Sequence, residues 1–125
     1  MGVLEDLAQN PFTSPEHRSS LIKAMQGHIT PQIAAVLKKS LEDDDDDVRI
    51  AAVHAVAEMG ESEREVLLEA FVRAADRPRI RIAIAEVFAD RDWAVKGYRP
   101  TMEANLPEGF HITAKGHIRR KGSAA

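Results

Sequence analysis

The triplet Arg49-Ile50-Ala51 returns 32 residues later as Arg81-Ile82-Ala83, and the same ungapped register carries Val56 onto Phe88 and Ala57 onto Ala89. A period of this length means that one supersecondary unit is stacked on copies of itself, because a single unit of about 30 residues cannot bury its own apolar face. Counting back 31 residues from Arg49 reaches Arg18, inside the segment 14–25, so three copies fit. They occupy residues 1–93 and leave 94–125 as a remainder outside the repeat.

The punctuation between copies belongs to helices. Ser14-Pro15 and Thr30-Pro31 each set an N-cap residue before a proline at the first helical position, where the missing N–H is no loss. Ser62-Glu63-Arg64-Glu65 reads as a capping box, and Gly27 and Gly60 stand where a helix would end in the left-handed conformation. Six helices in three pairs are predicted: 2–9 with 14–26, 30–41 with 46–59, and 62–75 with 78–90. Val48, Ala52, Ala55 and Met59 fall on one face by 4-3-4 spacing, as do Leu67, Ala70, Phe71 and Ala74. The frequent alanines let neighbouring helices approach closely. The segment 80–85, Ile-Arg-Ile-Ala-Ile-Ala, alternates like a strand, yet its counterpart at 48–53 is flanked by helix signals, so it is assigned to a helix.

The middle copy, Leu41-Glu42 followed by aspartates at 43–47, Val48-Arg49-Ile50-Ala51-Ala52 and ending at Gly60, resembles the HEAT repeat, in particular its bacterial short form. The resemblance extends through Asp76, Ile80, Arg81 and Ala83 to 62–90 and, through Arg18 and Gly27, to 2–28. It implies an all-α fold, a short α-solenoid of about three helix pairs. Arg18, Asp43, Val48, Arg49, Ala52, Gly60, Asp76, Ile80 and Arg81 would then be structural motif residues, and partners would be bound by residues between them.

Charge is split along the chain. Residues 1–93 hold 11 Lys+Arg against 18 Asp+Glu, and residues 94–125 hold 6 against 2, so a body of −7 carries an extension of +4. Such an extension is drawn to nucleic acid, to an anionic surface, or back onto its own acidic body. Within it, Gly109 to Thr113 and His117 to Arg120 flank Ala114-Lys115-Gly116, the pattern of a hairpin over 109–120 with glycine at the left-handed turn position. Placing Thr113 opposite His117 sets Phe110, Ile112 and Ile118 on one face, which needs a cover: either the end of the repeats, with Trp93 and Tyr98 at the junction, or a partner.

Catalytic and metal chemistry find no support. The five aspartates lack the glycine and late glutamate of a calcium loop and run straight into a helix, whose N-terminus they stabilise. His54 and Glu58 are one helical turn apart but make only two ligands, and no His-Glu dipeptide of the kind carried by HEAT-like iron hydroxylases occurs. No phosphate loop, nucleophile elbow or triad spacing is present. The six aromatic residues are few for a bilin pocket, and the acidic body is unlike the basic face of HEAT-like glycosylases. We expect no catalytic residue, no metal and no cofactor. With no cysteine, no apolar run long enough to span a bilayer and no signal-like N-terminus, a cytoplasmic protein is expected. The expected function is a non-enzymatic protein-interaction adaptor or scaffold. The alternative is a nucleic-acid-associated module using Arg73, Arg77 and Arg79, beside Arg81, together with Lys115, Arg119, Arg120 and Lys121 of the extension.

Overall fold

A computed structural model describes residues 14–27 and 29–122; the helix expected at 2–9 lies outside them. Among the described residues are six α-helices, two 3-10 turns and a two-stranded antiparallel ribbon. The chain divides into two compact units, Met1–Val66 and Leu67–Ala125.

In the first unit, α1 (Pro15–Met25) is followed by α2 (Pro31–Lys39), a 3-10 turn (Ser40–Glu42) and α3 (Asp46–Glu58). The predicted caps form. The Ser14 hydroxyl accepts from the His17 N–H at 3.2 Å and the Thr30 hydroxyl from the Ile33 N–H at 3.1 Å, each cap contributing about 1 kcal/mol. At α3 the cap is Asp45, whose carboxylate accepts from the Val48 N–H at 3.1 Å, with Asp46 and Asp47 in the first turn. Ile22, Met25, Leu37, Val48, Ala52, Val53, Ala55 and Val56 are buried, and α1 packs along α3. Small residues in α3 make that approach possible, in keeping with their spacing.

Two details of the punctuation differ from expectation. Gly27 follows α1 without a positive φ, because the helix closes at Gln26 in ordinary right-handed geometry and the exit needs no left-handed residue. Ser62 does not form a capping box. It lies inside a 3-10 turn, Glu61–Glu63, that opens with the Glu63 N–H donating to the Gly60 carbonyl, so the chain enters the next helix by tightening rather than by a side-chain cap. Gly60 itself has φ +114°, a region costly to any other residue.

The helix α4 (Arg64–Arg73) runs across the division between the units. The second unit continues with α5 (Pro78–Arg91), α6 (Arg99–Asn105) and strands β1 (Phe110–Ile112) and β2 (Ile118–Arg120). Leu67, Leu68, Phe71, Ala74, Ile80, Ile84, Phe88, Val95, Met102 and Ile118 are buried. The strand-like segment 80–85 is helical. A strand would put Ile80, Ile82 and Ile84 on one side, whereas the helix buries Ile80 and Ile84 and leaves Ile82 39% exposed.

α5 ends at Asp92, which adopts the left-handed conformation (φ 58°, ψ 40°) and donates its N–H to the Phe88 carbonyl. Trp93 then turns inward and meets Phe88 edge to face at 5.7 Å. The ribbon has the predicted register, Phe110 with Arg120, His111 with Arg119 and Ile112 with Ile118, closed by Thr113 and His117 and by Gly116 at φ +84°. Phe110 and Ile118 are buried and Ile112 is half-buried. The short helix α6 has no counterpart among the predicted elements, since seven residues are too few to show a helical period.

Candidate interaction surfaces

The motif arginines hold backbone and turns. Arg18 reaches from α1 to Asp43 with both sides of its guanidinium, Nε to Oδ2 at 2.9 Å and Nη2 to Oδ1 at 3.0 Å, and the two side chains are only 9% and 15% exposed. Asp43 Oδ1 also accepts from the Asp45 N–H at 2.9 Å, and the Asp43 carbonyl accepts from Arg49 Nε. Arg81 donates to the Phe71 carbonyl at 3.0 Å, the Val72 carbonyl at 3.3 Å and Asn105 Oδ1 at 3.4 Å, and lies over the Phe71 ring at 4.8 Å. Each arginine is the fourth residue of its helix. Fork-shaped donors suit these paired acceptors, and the compact ammonium of a lysine lacks the planar geometry to meet them in the same way.

Among the aspartates, Asp43 and Asp45 are committed to local structure, and Asp44 is exposed but engaged. Among the described residues, no group of three or more His, Cys, Asp and Glu could hold a metal ion. A cleft of about 470 Å³ lies between α1 and α3, walled by Glu16, Lys23, Asp45, Asp47 and His54, with Ile50 and Ala51 as its apolar lining.

Of the residues expected to attract an anionic partner, Arg73, Arg119 and Arg120 lie beside acids of this chain. Arg73 meets Glu69 at 3.3 Å, one turn earlier on α4; Arg77 and Arg79 open α5 and are engaged, and Asp76 lies in the turn before it. In the extension, Arg120 sets Nη1 at 2.6 Å from Asp90 and Nη2 at 3.9 Å from Glu86. Arg119 Nη2 lies 2.6 Å from Asp92 Oδ1. His117 Nδ1 is 2.8 Å from the same oxygen, so two basic side chains converge on this carboxylate. Lys115 sits in the turn and Lys121 closes the ribbon through its N–H to the Gly109 carbonyl at 2.8 Å. The hydrogen bond from Arg119, with the charges of Arg119 and His117, holds the Asp92 carboxyl below its ordinary 3.8 against a smaller opposing effect of desolvation. The Asp90 hydrogen bond likewise raises the Arg120 guanidinium above its usual value.

The acids Glu86, Asp90 and Asp92 were not singled out by sequence reading. Their signal was the opposite sign of the body and the extension, which allowed the extension to lie on its own chain without naming the residues that would receive it.

Paired helices whose motif residues are turned to internal bonding, followed by a ribbon, define a helical repeat protein with a C-terminal extension. The family described as HEAT repeats matches residues 3–89, and the chain belongs to the HEAT repeat family. The fold class is accordingly all-α, of the short α-solenoid type, with a two-stranded hairpin at its end. No curated protein and no solved structure matches the chain. HEAT repeats generally mediate protein–protein interactions and are typically non-catalytic. No described helix is long and apolar enough to cross a membrane.

Proposed function

We propose that this protein is a non-enzymatic interaction adaptor or scaffold, with residues 1–93 as its repeat domain and 94–125 as an extension. The observation that carries the reading is the use of the motif cations: Arg18, Arg49 and Arg81 are spent on turns and helix ends, so recognition falls to the variable residues of the helix surfaces. In the second unit the helix surfaces present Val72 and Ile82 as large exposed apolar side chains, with Arg73, Arg77 and Arg79 as polar neighbours in sequence. Exposed apolar residues beside arginines suit a protein partner, whose interface core is apolar and whose rim is charged. The intramolecular ion pairs of Arg73, Arg119 and Arg120 weigh against the nucleic-acid alternative, because a phosphate backbone would have to displace Glu69, Glu86, Asp90 and Asp92.

The test is affinity capture followed by binding of the purified partner to wild type and to a Val72→Asp/Ile82→Asp variant. Loss of binding with an unchanged thermal melt supports the reading. Absence of any direct protein partner, combined with salt-sensitive binding of a duplex or single-stranded oligonucleotide, would replace it with the alternative.

A further inference from the structure

In the first unit the second helices of adjacent pairs, α1 and α3, lie against each other, and the fourth residue of α1, Arg18, reaches 25 residues ahead to Asp43, just beyond the first helix of the next pair. The second unit repeats this arrangement at its end. The fourth residue of α5, Arg81, reaches 24 residues ahead to Asn105, the last residue of α6. α6 also opens on a proline in its first turn, Pro100, as α2 does on Pro31. It therefore has the sequence position and the contact of the first helix of a fourth pair. A ribbon then takes the place of a second helix, and β2 lies along α5, the neighbour on which that helix would have stacked.

We propose that the C-terminal extension is a fourth helix pair in which a β-hairpin replaces the second helix, and that the hairpin is a displaceable stop covering a stacking surface able to accept a helix of a second copy of this chain. The occupant follows from the first unit, where a second helix of this same sequence is what such a surface receives. Ile118 and Phe110 supply a small apolar seat, the Val95 N–H donates to the Gly116 carbonyl at 2.9 Å and Arg99 Nη1 to the Ala114 carbonyl at 2.9 Å, and at the surface stands an ionic clasp, Arg120 on Asp90 and Glu86 and Arg119 with His117 on Asp92. Asp92 holds a positive φ, the only non-glycine residue among those described to do so. A glycine would adopt that conformation more readily, and the carboxylate that receives Arg119 is what aspartate adds there. Exposed ion pairs are individually weak and are screened by salt, so the clasp yields to competing charge while the helices do not.

The experiment compares the full-length wild type with a Glu86→Gln/Asp90→Asn/Asp92→Asn variant and with Arg120→Gln. Amide exchange over residues 109–121, helix content by circular dichroism and mass by light scattering across a concentration series are measured on each. Loss of the clasp should speed exchange in the hairpin by roughly 5- to 30-fold, with helix content retained, and should shift the chain toward dimers relative to wild type. Arg120→Gln, which leaves all three acids in place, should shift both readouts in the same direction by less. Unchanged hairpin exchange in the triple variant would overturn the clasp. Fast exchange with intact helices and no added self-association would overturn the stacking surface. If the triple variant loses helix content, Arg120→Gln decides by the same two criteria.

Discussion

Replacing Asp43 should damage the first unit far more than replacing its neighbour Asp44, although the two look alike within a run of five. Asp43→Ala removes both bonds from Arg18, at 2.9 and 3.0 Å, and the bond from the Asp45 N–H at 2.9 Å, and takes one carboxylate away from a guanidinium that is 9% exposed. Removing one partner of a fully buried pair costs about 3–5 kcal/mol, and the Asp43 side chain, at 15% exposure, still touches solvent, so we expect about 2–3 kcal/mol. Against a total stability of about 5–15 kcal/mol for a domain this is a large fraction. Asp43→Asn keeps an oxygen for Arg18 and for the Asp45 N–H but loses the charge, and should cost about 1–2 kcal/mol. Asp44→Asn, at an exposed position, should stay within about 0.5 kcal/mol of wild type. Urea unfolding followed by circular dichroism measures each as a shift in midpoint at constant slope. The cycle of Arg18→Ala, Asp43→Ala and the double variant should show a coupling of about 1–3 kcal/mol. Equal costs for Asp43→Ala and Asp44→Asn, or additivity in the cycle, would refute the account of Arg18 and Asp43 as a buried fastening.

Further outcomes are expected elsewhere. Ala52→Leu, at a fully buried position of α3, should lower stability by about 1–3 kcal/mol through overpacking, and a neutral thermal melt would mean that this face has room to spare. Gly60→Ala should cost about 1–3 kcal/mol because φ is +114° although nothing crowds an added Cβ, whereas Gly27→Ala, with no positive φ and open space, should be neutral or slightly stabilising. The Asp92 carboxyl, followed by NMR, should titrate below 3.8, and in Arg119→Gln its midpoint should move back up. Because the folded value is lowered, the contribution of Asp92 is present above 3.8 and is lost as pH falls through the folded midpoint, so the contact of Asp92 with Arg119 should hold near neutrality and loosen through that midpoint. A midpoint at or above 3.8 would remove Asp92 from the clasp.

Much of the secondary structure was legible because its causes are local. Ser14, Thr30 and their prolines begin helices through bonds within four residues, and the register of the hairpin follows from Gly116 and the alternation on either side. The repeat period reached further, since Ile80 to Ala85 read as a strand alone and as a helix only by comparison with residues 48–53. Ser62 shows the limit of local signals: its capping box was well formed in sequence, but the residue lies inside a 3-10 turn whose backbone bonds, Glu63 N–H to the Gly60 carbonyl and Arg64 N–H to the Glu61 carbonyl, lead into the helix instead.

What sequence alone determined about this protein is the helix pair, the period at which it recurs, the identity of the recurring arginines and the opposite charge of the extension, all of them properties of residues near one another or spaced at one period. Tertiary structure decided the rest. Which aspartate of five would be bound depended on Arg18, 25 residues away, and whether the basic extension would turn outward depended on Glu86, Asp90 and Asp92 reaching Arg119 and Arg120 across some 30 residues. Those pairings arise only when the helices have stacked. Coulombic attraction and hydrogen bonding act over a few ångströms of space, and distance along the chain says little about which charges the fold will bring within that range.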